Sequence, residues 1–476
     1  MTRAVTRRRA VAGAASVACG ALLGAAVTVR AQPVDPARPS TMVIGVPAGA
    51  RTDRVDVGRT GFSPTPLPTS GLHTEWRAAT GAPFDHAPLV DARGTTYAVS
   101  ARGEVIAIGR DGSEQWRIPT GAVDAGPAAL LSDDTLVVID TAGNALGVRE
   151  GAVRWRAHFG GPDPAPVGPL PLDDGGVVVT AGRDLVLLDG QGHERARTTL
   201  AERAAAPILW ATGRVVVIGA GGTVWTWAPG AREVSHLGSF GAPVEGGAAV
   251  VGDRTLVAVI ARQTSLSALD LVRGGLAVPR AIAPIAANAA NAANAANATG
   301  GTWLGPPAAR GEDTTLALLG ATSEIALMFD ASGRELGRAL LAAHTPLSRG
   351  DAGAPTGAGL RAPLLIDAAG TVAFETFQGG VGVSTLRASE ASGRGAGAPG
   401  GASMGAAEGG AFEVLGDACP PPAGMLALLG GAPPSIAGIA PLPPGSLVVA
   451  CHSGTLVAVA GAAAASTGGK VGPSAL

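Results

Sequence analysis

Three cysteines are the residues of this chain best suited to covalent chemistry: Cys19, Cys419 and Cys451. If the chain is exported, Cys419 and Cys451 meet an oxidising compartment, where leftover cysteines pair. The sequence therefore makes these two residues a disulfide candidate, worth roughly 3–4 kcal/mol of stability if the geometry is unstrained. The alternative is two separate buried thiols that act as small apolar residues.

The histidines show no spacing typical of a metal site. None of them forms an H-x-H or H-x-x-x-H pair, so loop or surface positions are the simpler interpretation. The seven histidines are His73, His86, His158, His193, His236, His344 and His452.

One short motif resembles a nucleophile site. Residues 401–405 read Gly-Ala-Ser-Met-Gly and match the G-x-S-x-G pattern. A nucleophile elbow needs a strand before it and a helix after it, whereas both flanks here are Gly/Ala-rich. We therefore treat the match as chance and assign no catalytic, metal-binding or cofactor-binding residue.

Three tryptophans recur at a regular interval. Trp76, Trp116 and Trp155 are separated by 40 and 39 residues. Tryptophans can stack on sugars, but a period near 40 with several short strands per repeat is typical of a β-propeller blade. We therefore predict that these side chains dock neighbouring blades on one another.

Similar units continue along the chain, and eight are recognisable. Their strands are near-continuous Val, Leu and Ile runs, typical of sheets buried on both faces. The last unit, at 446–461, lacks a Trp strand, whereas the first Trp strand, at 73–76, has no unit before it. The sequence thus predicts an all-β, eight-bladed β-propeller of four-stranded antiparallel blades, closed by the N-terminal strand.

The N-terminus predicts export. Arg7, Arg8 and Arg9 precede twenty small or apolar residues and an A-x-A-like ending at 29–31. Residues 1–31 are therefore interpreted as a signal peptide cleaved after Ala31. Two alternatives stay open: lipidation of Cys19, or retention of the segment as a membrane anchor. The expected location is periplasmic or secreted, with a membrane-anchored lipoprotein as the alternative.

Local amino-acid composition predicts the domain boundaries in the rest of the chain. We expect a Pro/Gly-rich linker at 32–70, the propeller at 71–463 with low-complexity insertions at 281–301 and 388–411, and a disordered tail at 464–476.

The formal charge is −2, and residues 1–31 hold five arginines and no acid, so the remainder carries −7. A mildly acidic body without a basic run argues against a nucleic-acid partner. We expect a monomer without a membrane span after the signal segment.

Three stretches carry a family resemblance. EVIAIGRDGSEQW (104–116), DLVLLDGQG (184–192) and IALMFDASG (325–333) resemble the PQQ-like repeat of the pyrroloquinoline-quinone-type propellers. That family includes quinone-dependent dehydrogenases and a BamB-like non-catalytic branch. The enzymatic branch uses calcium, a vicinal Cys-Cys disulfide and a Trp platform, but no two cysteines are adjacent here.

The resemblance and the missing site features lead to one expectation. We expect an exported, non-catalytic propeller that acts as a protein-binding or scaffolding module of the cell envelope, without a cofactor. The alternative is a quinone-dependent dehydrogenase-like oxidoreductase. Recognition by loops and blade edges on a rigid ring, including strand addition at an outer edge, is the expected mechanism.

Overall fold

A computed structural model supplies the architecture. It describes residues 50–122, 126–161, 167–205, 209–252, 254–260, 265–272, 280–281, 302–310, 314–320, 323–329, 335–343, 364–375, 380–385, 412–416, 418–419 and 436–463. Within these ranges every regular element is a β-strand. The predicted all-β class is confirmed.

The described strands form seven four-stranded antiparallel sheets and one five-stranded sheet, and each sheet is called a blade here. The first four-stranded blade contains β3 (Leu89–Val90), β4 (Thr96–Val99), β5 (Glu104–Ile108) and β6 (Glu114–Pro119), and the second contains β7 (Ala129–Leu130), β8 (Leu136–Ile139), β9 (Asn144–Arg149) and β10 (Ala152–His158). The third contains β11 (Leu170–Pro171), β12 (Val177–Ala181), β13 (Asp184–Leu188) and β14 (Glu194–Thr199). The fourth contains β15 (Leu209–Ala211), β16 (Arg214–Ile218), β17 (Thr223–Trp227) and β18 (Ser235–Ser239). The other three are β19 (Val244–Val251), β20 (Thr255–Ile260), β21 (Ser265–Asp270) and β22 (Arg280–Ala281); β23 (Thr302–Arg310), β24 (Thr314–Gly320), β25 (Ser323–Phe329) and β26 (Glu335–Ala343); and β31 (Ile436–Leu442), β32 (Ser446–Cys451) and β33 (Thr455–Ala463) with β2 (Pro68–Ala79).

The five-stranded blade corrects the predicted set of eight four-stranded blades. It contains β27 (Leu365–Asp367), β28 (Thr371–Glu375), β29 (Val381–Thr385) and β30 (Phe412–Leu415). A fifth strand, β1 (Phe62–Ser63), lies beside β27 and pairs with it in parallel. Seven blades therefore have four strands, and the parallel strand comes from a part of the chain that the repeat pattern left outside the sheets.

The second and third strands of the blades are buried on both faces. All four residues of β8 are buried, as are four of the five residues of β12. β-Branched and aliphatic side chains fill the space between neighbouring blades. For example, Val105 on β5 packs in one apolar cluster with Leu136 and Val138 on β8.

The N-terminal strand completes the last blade. β2 pairs antiparallel with β33 from Pro68 opposite Ala463 to Ala79 opposite Thr455. Trp76 on β2 then joins an apolar cluster with Ile106 of the β3–β6 blade. The first and last parts of the fold are thus joined within one blade, which leaves β33 with a partner on its outer side.

Residues 50–63, called the axial segment here, lie inside the ring. Their backbone groups bond to the first strand of one blade after another, since Ala50 pairs with Val90, the Arg51 carbonyl accepts from Leu130, and the Gly61 carbonyl accepts from Ile366. Trp210, Val250 and Ala309 donate in the same way to Val57, Gly58 and Thr60. A segment that contacts the first strands of so many blades occupies the channel that these strands surround.

The axial segment differs from the linker that the sequence predicts at 32–70. Residues 50–70 are packed within the propeller, whereas 32–49 lie outside the described residues. The segment lacks an alternating apolar pattern, since its backbone bonds partly to itself, as from Val55 to Thr52, and partly to the first strands of several blades. A strand-period search therefore passes over it.

Several predictions fall on residues that the structure does not describe. These are the signal segment 1–31 with Cys19, nearly all of both insertions, residues 401–405 and the tail 464–476. Within the described ranges, no helix is long and apolar enough to cross a membrane.

Candidate functional site

A cleft of about 530 Å³ opens between the β3–β6 and β7–β10 blades. It lies at the end of the blades that carries the β3–β4, β5–β6, β7–β8 and β9–β10 turns, so residues from four turns converge on it. The lining residues are Arg93, Thr95, Tyr97, Arg110, Gln115, Trp116, Asp134, Arg149 and Glu150. We call this feature the interblade cleft.

Each of the three periodic tryptophans packs on a turn glycine of the next blade. A Cβ atom added at Gly112 would lie 2.7 Å from Cγ of Trp76, and one at Gly192 would lie 2.4 Å from Cε3 of Trp155. Gly151 faces Trp116 in the same way, at 3.2 Å from its Cγ. The absence of a side chain at these turns lets the indole rings lie directly on the neighbouring backbone.

Trp116 differs from the other two in its exposure. Trp76 and Trp155 are buried at 9% and 8% exposure, whereas Trp116 is half-buried and lines the interblade cleft. Its ring centroid lies 5.9 Å from that of Tyr97 with an interplanar angle of 46°. The same tryptophan therefore docks two blades and presents part of its ring to the cleft.

A charged bridge joins the two blades at the cleft. Nη2 of Arg93 lies 3.0 Å from the carboxylate of Asp91 in its own blade and 3.0 Å from that of Asp134 in the next. The Tyr97 hydroxyl donates to the buried Asp91 carboxylate at 3.2 Å. Burial, together with the negative charge of Asp91, raises the pKa of Tyr97 to about 12, so the phenol stays protonated and acts as a donor.

Arg110 is the available cation of the cleft. Its side chain is exposed, and no described residue forms an ion pair or hydrogen bond with its guanidinium. Arg149, by contrast, lies 3.2 Å from the Asp133 carboxylate. A free guanidinium beside a half-exposed indole can bind a carboxylate while the aromatic rings cover apolar groups.

The disulfide candidate is a bond in the structure. Sγ of Cys419 and Sγ of Cys451 are 2.07 Å apart, and the Cα atoms are 5.5 Å apart. Both cysteines are buried and belong to an apolar cluster that also contains Val383 of the five-stranded blade and Val449 of β32. The bond thus links the end of β32 to the residues that follow β30.

Within the described ranges, no group of three His, Cys, Asp or Glu side chains lies close enough together to hold a metal ion. The aspartates of the two Asp-Gly pairs, at 111–112 and 189–190, accept hydrogen bonds within hairpin turns. Asp111 accepts from the backbone of Ser113 at 3.0 Å, and Asp189 accepts from that of His193 at 2.9 Å. Gly112 has a φ of 83°, which is why glycine follows the aspartate at such a turn.

Arginines fix the axial segment in the channel. Arg59 is fully buried, forms an ion pair with Asp53 and donates from Nη2 to the carbonyl oxygen of Pro169 at 2.8 Å. Arg51 donates from Nε to the carbonyl oxygen of Leu130 at 3.1 Å. A ligand on the axis of the ring would have to displace these contacts.

Comparisons with known proteins agree with this architecture. The family described as "Outer membrane protein assembly factor BamB" matches residues 73–165. The repeats within residues 73–165 are therefore similar to those of PQQ-like propellers. This confirms the resemblance predicted from the sequence. A comparison with curated proteins found no match.

Solved propellers resemble the whole domain. BamB from Moraxella catarrhalis has a TM-score of 0.50 at 15% identity, over 82% of this chain and 98% of that one. The C-terminal WD40 domain of Sif2 has a TM-score of 0.53 at 10% identity, over 83% and 99%. The computationally designed Ika8 protein gives 0.52 at 12% identity, also over 83% and 99%. At such identities these likenesses establish the propeller fold alone.

Sequence reasoning missed both the interblade cleft and the axial segment. The cleft depends on turns about 40 residues apart meeting at one blade junction, which the repeat period alone could have suggested. The axial segment carried a weaker signal: three arginines and two aspartates crowd into residues 50–63.

Proposed function

We propose that this protein is an exported, non-catalytic β-propeller that acts as a protein-binding module of the cell envelope, with its partner docking in the interblade cleft. Export rests on the arginine-led apolar residues 1–31. The matched family has a name that describes an outer-membrane protein assembly factor, which is in keeping with an envelope location.

The observation that carries the proposal is the set of side chains in the cleft. Trp116, Tyr97 and Arg110 bring together the three residue types most enriched at the centres of protein interfaces. The neighbouring Arg93 is already paired with two carboxylates, which leaves Arg110 to meet a partner's negative charge. A partly apolar cleft with an unpaired guanidinium suits a protein segment that carries an acidic side chain.

The adjacent strand provides a backbone edge. β6 is the outermost strand of the β3–β6 blade and carries Gln115 and Trp116. An extended segment of a partner could pair with this edge while one of its carboxylates reaches Arg110. This arrangement makes strand addition the preferred binding mode.

The axial segment supports the non-catalytic part of the proposal. It fills the channel with chain that is bonded to the surrounding strands, so a large planar cofactor on the axis lacks room unless those bonds break. A thermal shift with calcium and pyrroloquinoline quinone tests the alternative function. A cofactor at 100 times its dissociation constant adds about 2.7 kcal/mol, and we expect no shift.

Site-specific photocrosslinking in intact cells tests the binding proposal. A photoreactive residue at Gln115 lies in the cleft, and one at Arg102 lies in the β4–β5 turn at the opposite end of the same blade; both positions are exposed. We expect one defined adduct from position 115 and none from 102. Arg110→Glu should abolish this adduct, whereas Arg102→Glu should leave it intact. Equal adducts from both positions would reject the cleft as the binding site.

A further inference from the structure

Asp134 has a left-handed backbone in a turn whose counterparts in other blades carry glycine. Its φ is 64°, and its backbone N–H donates to the carbonyl oxygen of Leu131 at 3.1 Å. In three other blades the same bond, to the residue three positions earlier, is made by Gly94, Gly175 and Gly370, with φ values of 86°, 81° and 83°. Glycine adopts this conformation without strain, whereas most side chains disfavour it. The aspartate therefore replaces the residue that the turn geometry favours.

The carboxylate of Asp134 contacts an arginine that already has a partner. Nη2 of Arg93 lies 3.0 Å from Asp134 and 3.0 Å from Asp91, and its Nε donates to Asp91 at 3.3 Å. The Asp91 side chain is buried and also accepts from the backbone N–H groups of Arg93 and Thr95. The pKa of Arg93 is raised first by its hydrogen bond to Asp91 and then by the charges of Asp91 and Asp134. Asp91 thus fixes Arg93, and the contact with Asp134 is additional.

This additional contact is easily exchanged. The side chains of Arg93 and Asp134 are 70% and 41% exposed, and an ion pair between such groups adds little stability because water and salt screen it. Asp134 also attracts the half-buried Arg51, so its carboxylate keeps a neighbouring cation when it leaves Arg93. Both Arg93 and Asp134 line the interblade cleft. A weakly held carboxylate therefore lies on a fixed arginine within the proposed binding site.

We propose that Asp134 occupies the place of a partner's carboxylate, which displaces it from Arg93 on binding. This role rests on the proposed docking of a protein segment in the cleft, and it adds Arg93 to Arg110 as a residue that selects the partner. The two arginines flank one turn, since a Cβ atom added at Gly94 would lie 3.4 Å from Cδ of Arg110. A segment with two acidic side chains then finds a guanidinium for each. In the free protein, Asp134 disfavours ligands that compete weakly for Arg93.

Removal of the Asp134 charge should strengthen partner binding. With the photoreactive residue at position 115 and short irradiation, Asp134→Asn should raise the adduct yield about two- to fivefold, as expected when a competing exposed ion pair is lost. Asparagine tolerates a left-handed backbone, so the turn is kept. The matched control Asp133→Asn removes the same charge from the same turn, but from the partner of Arg149, and should leave the yield unchanged. Equal yields in Asp134→Asn and the wild type, or equal gains in both variants, would overturn the proposed exchange.

A double variant separates exchange at Arg93 from general repulsion. In an Arg93→Gln background, Asp134→Asn should no longer raise the yield, because the arginine for which the two carboxylates compete is absent. A gain that persists there would mean that Asp134 repels the partner from a distance, and it would reject the exchange. If Arg93→Gln fails to fold, the comparison of Asp134→Asn with Asp133→Asn still decides. Absence of any adduct from the wild type would reject the proposed function itself, whereas an adduct that is unaffected by Asp134→Asn would reject the exchange alone.

Discussion

Arg59 donates a hydrogen bond from Nη2 to the carbonyl oxygen of Pro169 at 2.8 Å, across 110 residues of sequence. Its side chain is 0% exposed and also forms an ion pair with Asp53. The contact joins the axial segment to the first strand region of the β11–β14 blade. A residue from a stretch without strand periodicity thus helps to hold the centre of the ring.

Arg59→Met should destabilise the whole domain strongly. The variant removes the bond to Pro169 and leaves Asp53 without its partner, and breaking a buried pair costs about 3–5 kcal/mol. Urea unfolding of the purified domain measures the loss. The control is Arg154→Met, which breaks the exposed pair of Arg154 with Glu150 and should cost under about 1 kcal/mol. Equal losses in the two variants would contradict a supporting role for the axial segment.

Gly112→Ala should cost more than Gly121→Ala. The two glycines have φ values of 83° and 75°, so both variants suffer the strain of a left-handed backbone. Only at Gly112 would the new methyl group collide with Trp76, since nothing lies within 4 Å of a Cβ at Gly121. We expect an additional loss of about 1–3 kcal/mol from overpacking, measured by urea unfolding.

The collision has a direct check. Adding Trp76→Gly to each glycine variant should remove the difference between them, because the indole ring and the Cβ atom of residue 76, which would lie 2.8 Å from the new methyl group, are then both absent. A difference that persists in the Trp76→Gly background would mean that Trp76 does not dock on this turn.

These contacts show which parts of the fold the sequence could predict. The buried strands were predictable because their side chains, such as those of Val137 and Val138, repeat an apolar run in every unit. Strand β2 was predictable because a repeat with a missing Trp strand needs one from elsewhere. The position of Arg59 was not predictable, since its partner Pro169 is set by ring geometry rather than by local pattern. The exposure of Trp116 also depends on the two turns that border it, so the period alone made it equivalent to Trp76.

Deletion of residues 71–80 should lower the melting temperature of the entire domain. This change removes most of β2, exposes the edge of β33 and takes away Trp76. A matched deletion of ten residues within the predicted low-complexity insertion, at 388–397, should have little effect. Similar melting temperatures for the two deletions would refute closure by the N-terminal strand.

The mature protein should begin at Gln32. Cleavage after Ala31 follows from the A-x-A-like ending of the signal segment. N-terminal sequencing of protein recovered from the producing cells measures the start directly. A lipid-modified Cys19 would instead support the lipoprotein alternative, and recovery of full-length protein from the cytoplasm would refute export.

The bond between Cys419 and Cys451 should form in the exported protein. Its Cα–Cα distance of 5.5 Å lies within the range of native disulfides. The bond closes a loop with a sequence separation of 32 residues, so the chain-entropy relation gives about 3–4 kcal/mol. Reduction should therefore lower the stability of the wild type and leave a Cys419→Ala/Cys451→Ala variant unchanged.

Chemical cleavage can detect this bond where trypsin cannot separate the two cysteines. No Lys or Arg lies between Arg394 and Lys470, so both cysteines fall on one tryptic peptide. Met425 lies between them, and cyanogen bromide cuts after methionine. The fragments 405–425 and 426–476 should therefore stay joined until a reductant is added. Separate fragments without reductant, each with an alkylatable thiol, would show that the cysteines are unpaired.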